Sequence, residues 1–214
     1  MLNADKFIHS GKRYYEKRFP QIIVYIISAY KQLLADKESL ENSETFITEI
    51  LVEIYLNKGK NRERLGIEDV IFNREPAENK GFVDIKVQTL YSLSNPEAYY
   101  IFECKRLDGT AHLNREYIRE GIIRFTSGKY SSYYGVNGMI GYEVKKLNTP
   151  VNVQKINSIL LSEYPLLRRA CGMEPVEIVH DFKFSYRSVH WLDSSRQLRL
   201  FHLILDVSFL ININ

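Results

Sequence analysis

With 214 residues, 45% of them hydrophobic and 26% charged, the chain has the composition of an ordinary globular domain with one sizeable core. A net charge of +3 is too small to announce nucleic acid by itself, so partners have to be argued from a site. The only cysteines, Cys104 and Cys171, argue against a disulfide framework or a cysteine zinc site and point to a reducing, cytoplasmic protein.

Residues 1–42 read as an N-terminal helical extension. A polar, basic helical piece covers about Asp5–Phe19, and a buried helix opens after Pro20 and runs to about Ala35. Its apolar run, Gln21-Ile-Ile-Val-Tyr-Ile-Ile-Ser-Ala-Tyr30, is far shorter than the roughly 20 residues of a membrane span. Asp5 and Glu16 interrupt any leader, so the expectation is a core helix and no membrane. After the charged connector Asp36–Asn42, Ser43 is an N-cap and Glu44 an acid in the first turn of a second helix. That helix carries the apolar stripe Phe46, Ile47, Ile50, Leu51 and Ile54 to about Leu56. Asn57–Arg64 reads as a loop, and Asp69–Glu75 as a first strand ended by Pro76. Two amphipathic strands follow, about Gly81–Gln88 and Tyr99–Leu107. A third helix covers about Asn114–Thr126, and Gly138–Val144 is a further strand. From Val151 to Leu167 the pattern is helical up to the breaker Pro165. Two strands, about Val176–Val189 and Gln197–Leu210, close the chain around the turn Leu192–Arg196. No repeat or linker divides it: residues 43–145 form a core that residues 146–214 complete, in one α/β domain with a mixed central sheet.

Gly81-Phe-Val-Asp-Ile-Lys-Val-Gln88 and Tyr99-Tyr-Ile-Phe-Glu-Cys-Lys-Arg-Leu107 carry the chemistry. Alternation puts Asp84 and Lys86 on one face, and Glu103 and Lys105 on one face. A turn centred between Leu93 and Ser94 sets Asp84 opposite Glu103, with Cβ atoms about 5 Å apart. Facing carboxylates repel, and a sheet built only for stability would not pair them. A divalent cation between oxygen ligands removes the conflict, with Lys105 as a positive group beside it. Glu143-Val-Lys145, Asp181-Phe-Lys183 and Glu78-Asn-Lys80 repeat the acid-x-Lys spacing, but none has an acid at the symmetric position of a hairpin. His190 and His202 lack a second ligand at metal spacing and read as structural. Gly135, Gly138 and Gly141 precede a strand rather than a helix, which argues against a phosphate-cradling loop.

Asp84 followed by Glu103-Cys104-Lys105, in the order helix, three strands, helix, strand, resembles the PD-(D/E)XK nuclease superfamily, the restriction-endonuclease-like fold. Val83-Asp84 stands where that family usually has Pro-Asp. Tyr117 to Tyr130 and Gly135 to Tyr142 are similar to a bacterial branch of the superfamily. The resemblance implies an αβββαβ core with N-terminal helices and a C-terminal β-hairpin added. It implies a metal-dependent nuclease acting on nucleic acid, DNA ahead of RNA, with bacterial defence or restriction as the role that family company suggests. Asp84, Glu103 and Lys105 would be catalytic. Asp84, Glu103, the Cys104 carbonyl and an acid from the preceding helix, Glu44 ahead of Glu49 and Glu53, would hold Mg²⁺ or Mn²⁺; Glu75 is an outside candidate. Arg106, Tyr117, Arg124 and Lys129 would meet the substrate, and a homodimer would let both strands be cut. The alternatives are a catalytically silent nuclease-like module that binds nucleic acid or a partner protein, and a purely structural subunit.

Overall fold

Strands buried on both faces at the centre build a seven-stranded mixed sheet with helices against both faces. The structure, a computed structural model, describes residues 4–78, 81–93, 95–130, 132–164, 171–193 and 196–212. It opens with α1 (Ala4–Asp36), one continuous helix with Pro20 inside it rather than at a helix start. An interior proline costs about 3 kcal/mol. Burial of Phe19, Ile22, Ile23, Ile26, Ile27 and Leu33 outweighs that, at about 1.5–3 kcal/mol each. Among the described residues no helix is long and apolar enough to cross a membrane.

Ser43 caps α2 (Glu44–Glu49) by accepting from the Phe46 N–H at 3.4 Å, and the helix runs on as a π-helical segment, Ile50–Leu56. A short helix, α3 (Gly59–Leu65), replaces the expected loop. Gly66 closes it at φ +63°, and the Arg62 guanidinium donates to the carbonyls of Ile67 and Val70.

The strands are β1 (Val70–Arg74), β2 (Ala77–Glu78), β3 (Gly81–Phe82), β4 (Ile85–Thr89) and β5 (Tyr99–Leu107). Next come α4 (Ala111–Tyr117), a π-helical turn Ile118–Ile122, α5 (Ile123–Thr126) and β6 (Val136–Glu143). The chain continues through α6 (Thr149–Glu163), β7 (Cys171–Pro175), β8 (Ser185–Trp191) and β9 (Gln197–Asp206). The sheet order is β1-β4-β5-β6-β9-β8-β7. Only β5–β6 and β6–β9 are parallel. Three strands close the chain where two were expected; Pro165 and the middle of the Leu192–Arg196 turn lie outside the described residues.

The β4–β5 register agrees with the sequence reading: Ile85 pairs with Phe102 and Gln88 with Tyr99, and the ladder stops one position short of Asp84 and Glu103. The strand expected over Gly81–Gln88 is broken at Val83–Asp84, where β2 and β3 form a separate two-stranded ribbon. Pro76 has no N–H for a ladder, and Glu75 takes φ +48° beside it. The Val70 and Phe72 carbonyls on the edge strand β1 accept from Arg62 and Asn57, at 2.8 Å each. One core packs α1 and α2 on the sheet; the other packs α4, α5 and α6 on the opposite face, toward which Glu103 and Lys105 alternate.

Candidate functional site

Three carboxylates, from α2, from the break before β4 and from β5, close on one ammonium. Lys105 Nζ lies 2.7 Å from Glu44 Oε1, 3.1 Å from Glu103 Oε1 and 3.7 Å from Asp84 Oδ2. It also donates to the Cys104 carbonyl at 2.5 Å. Each neighbour is held from behind. The Cys104 N–H donates to Asp84 Oδ2 at 2.6 Å where the β4–β5 ladder ends, so the break at Val83–Asp84 turns the aspartate onto its partner strand. Glu44 Oε2 accepts from the Arg106 N–H at 3.2 Å. The helical acid that joins is therefore Glu44; Glu49 pairs with Arg74 at 3.5 Å and Glu53 is exposed. Glu75 lines the same cleft.

Glu103 has no exposed surface, and three donors reach its carboxylate. Arg124 Nη1 reaches Oε1 at 2.6 Å, and the Tyr130 hydroxyl donates to Oε2 at 2.6 Å. Burial, then the Asp84 charge, pushes the Glu103 carboxyl up to about 7, against Lys105, Tyr130 and Arg124, which favour its ionised form. Burial also lifts Glu44, with Lys105 opposing. For Lys105, burial favours the neutral amine, but Asp84, Glu103 and Glu44 together hold it above its ordinary value, so it is a cation at neutral pH.

The cluster borders an open cleft of about 460 Å³, into which Glu44, Asp84, Lys105, Arg124 and Lys129 project with Phe82. Arg124 is shared between Glu103, Tyr130 and Glu120. Arg106 is occupied elsewhere: its guanidinium donates to the carbonyl and side chain of Asn42, bracing the loop before α2. Tyr117 is not a substrate contact. It is fully buried, with its hydroxyl 2.9 Å from His202 Nδ1. Seven residues bring Tyr117 and Arg124 to one face of an α-helix, but the π-helical turn between them advances fewer degrees per residue and sends them apart.

Glu120 is a site member that sequence reasoning does not assign, and Tyr130 reads there only as one of the tyrosines interleaved with basic residues that could meet a strand, not as a partner of Glu103. Both lie between Arg115 and Tyr134, where arginines and tyrosines are frequent, but no period fixes side-chain direction in a loop or across a π-turn. The competing acid-x-Lys pairs are apart from the cluster. Glu143 is buried against Thr149 and Lys145 reaches Asp108, while Asp181 pairs with Lys31. Glu78-Asn-Lys80 lies partly outside the described residues. His190 and His202 are core groups, bridged by the Ser188 hydroxyl at 2.7 Å to each. Gly138 and Gly141 serve packing: a Cβ on Gly138 would meet the Phe102 ring at 2.2 Å, and one on Gly141 would meet Leu107 at 2.7 Å.

The groups that could ligate a hard cation are all oxygens: the carboxylates of Glu44, Asp84 and Glu103 and the carbonyl of Cys104. When ionised, these three carboxylates outnumber Lys105 and Arg124, the cations that pair with them, and an all-oxygen donor set suits a hard divalent ion. Among the described residues no three His, Cys, Asp or Glu side chains are gathered as a ready-made metal cage; these acids converge on the ammonium. Comparison of the chain with protein-family models, curated proteins and solved structures finds no match.

Proposed function

We propose that this protein is a metal-dependent nuclease that hydrolyses phosphodiester bonds of nucleic acid, DNA ahead of RNA, on a restriction-endonuclease-like core. The observation that carries the reading is the convergence of Glu44, Asp84 and Glu103 on Lys105 beside a cleft that also presents Arg124 and Lys129. The order α2, β1, β4, β5, then α4–α5, then β6 supports it, being the αβββαβ order of such cores.

A divalent ion, Mg²⁺ or Mn²⁺, held by Asp84, Glu103, Glu44 and the Cys104 carbonyl, would polarise the scissile phosphate and make a water acidic. Lys105 stays protonated among its carboxylates, so it acts by charge and hydrogen bonding on the phosphoryl oxygens rather than by accepting a proton. Asp84 is tied to β5 by the Cys104 N–H, and the same oxygen, Oδ2, faces Lys105. Arg124 and Lys129 neutralise phosphate on the strand entering the cleft. The described cleft lining offers no Ser, Thr, Cys or His, which fits direct hydrolysis without a covalent intermediate.

A second reading, a catalytically silent nuclease-like module that binds nucleic acid, is favoured by one observation: every acid of the cluster is already paired with Lys105. Incubation with supercoiled plasmid and with a single-stranded circle, in Mg²⁺, Mn²⁺ or EDTA, separates the two. The nuclease reading expects cleavage with either metal and none with EDTA, and double-strand breaks without prior nicks would indicate paired subunits. Binding of both substrates with no cleavage in either metal would leave the silent module standing.

A further inference from the structure

Phe82 is the apolar residue in the described cleft lining, and this chemistry leaves it unused. It ends β3, two residues before Asp84, and lines the same cleft as Asp84 and Lys105, yet it is 66% exposed. A single exposed apolar side chain is ordinary on a protein surface; its fixed backbone and charged surroundings set this one apart. Pairing with Ala77 holds Phe82 on one side, and its carbonyl lies 3.3 Å from the Tyr130 hydroxyl that also contacts Glu103. The backbone is thus tied to the cluster while the ring is left to solvent.

A flat apolar ring next to Arg124 and Lys129 matches the two halves of a nucleotide, with the base on the ring and phosphate on the cations. A base inside a duplex is already stacked on both faces and offers none to a protein ring. An unpaired base offers one. We propose that Phe82 is a base-stacking platform, and that the site takes an unpaired nucleotide, in a single strand or at a frayed end, ahead of intact duplex. This rests on the nuclease reading and adds a substrate class to it.

The test compares wild type, Phe82→Ala and Phe82→Tyr, each titrated with a short single-stranded DNA containing 2-aminopurine and with the blunt duplex of the same sequence. Ca²⁺ replaces Mg²⁺ so that the strands stay intact. Wild type should bind the single strand more tightly than the duplex and quench the 2-aminopurine. Phe82→Ala should bind the single strand about tenfold more weakly and lose the quench, while Phe82→Tyr keeps both. Because the ring is exposed, all three proteins should share one thermal midpoint. Equal single-strand affinity and quench in wild type and Phe82→Ala would overturn the stacking role and leave the nuclease reading intact, with the ring then assigned to a partner protein. An equal loss on single strand and duplex would overturn the preference for unpaired nucleotides. Failure of wild type to bind either DNA would remove the nuclease reading and this proposal together.

Discussion

Glu103 is the residue on which the cluster depends, because a carboxylate with no exposed surface tolerates its charge only through the donors around it. Lys105, Arg124 and Tyr130 supply them. Tyr130→Phe removes one donor and leaves Oε2 uncompensated. The expected loss of stability is about 1–2 kcal/mol at pH 8, where Glu103 is largely ionised, and the Glu103 carboxyl should move further up. Urea unfolding at pH 8 reads the loss, and an unchanged midpoint would mean that the hydroxyl does not support the charge. Asp84, Glu103 and Lys105 were legible in the sequence because strand alternation fixes which side chains share a face. Glu44 came from the family resemblance and not from periodicity, since any first-turn acid suits a helix dipole. Tyr130 stood out only as one of the tyrosines interleaved with downstream basic residues, because a loop has no period from which to read direction.

Among the elements, the β4–β5 hairpin was readable to its register, whereas the π-helical segments were not. The turn at Ile118–Ile122 rotates Arg124 into the site and leaves Tyr117 in the core, and nothing in its side chains distinguishes it from an α-helical run. The helix α3 was missed because Gly59 and Asn61 are poor helix formers; the Gly66 stop signal and the Arg62 bonds to Ile67 and Val70 hold it. The separate ribbon β2–β3 follows from Pro76, read in the sequence only as a strand end. Between β5 and β6 the parallel pairing sets Gly138 against Phe102, whose ring is stacked on Phe19 at a centroid distance of 5.4 Å. Gly138→Ala would drive a methyl into that ring. It should cost about 1–3 kcal/mol in a denaturant titration, with much of the loss recovered in Gly138→Ala/Phe102→Leu. Full stability in Gly138→Ala would contradict the packing of β6 on β5 described here.

Across the whole molecule, burial on both sheet faces leaves titratable groups whose shifts oppose one another. Burial lowers His190 to about 4 and, with His190 adding to it, His202 to about 3. Burial raises Glu143 to about 7. From about pH 4 to 6.5 the unfolded chain binds protons that the folded imidazoles refuse, so each imidazole makes stability rise with pH. From about pH 4.5 to 7 the folded Glu143 keeps a proton that the unfolded chain has lost, so it makes stability fall with pH. Urea unfolding over pH 4.5–6.5 should therefore give differences, wild type minus variant, of opposite slope: rising for His190→Gln and falling for Glu143→Gln. Each slope should approach 1.4 kcal/mol per pH unit, about one proton; two slopes of one sign would contradict the burial assigned to these groups. Such shifts depend on packing that a single sequence does not display, which is why the histidines were legible as structural but not as a shared network through Ser188. A catalytic centre built on the acids around Lys105, as proposed, makes single-turnover cleavage of labelled DNA in Mg²⁺ depend on Asp84, which wild type and Asp84→Asn compare. Asparagine can still accept from the Cys104 N–H, so the variant should stay folded, with cleavage slowed about 10³-fold; a folded Asp84→Asn that cleaves as fast as wild type would contradict it.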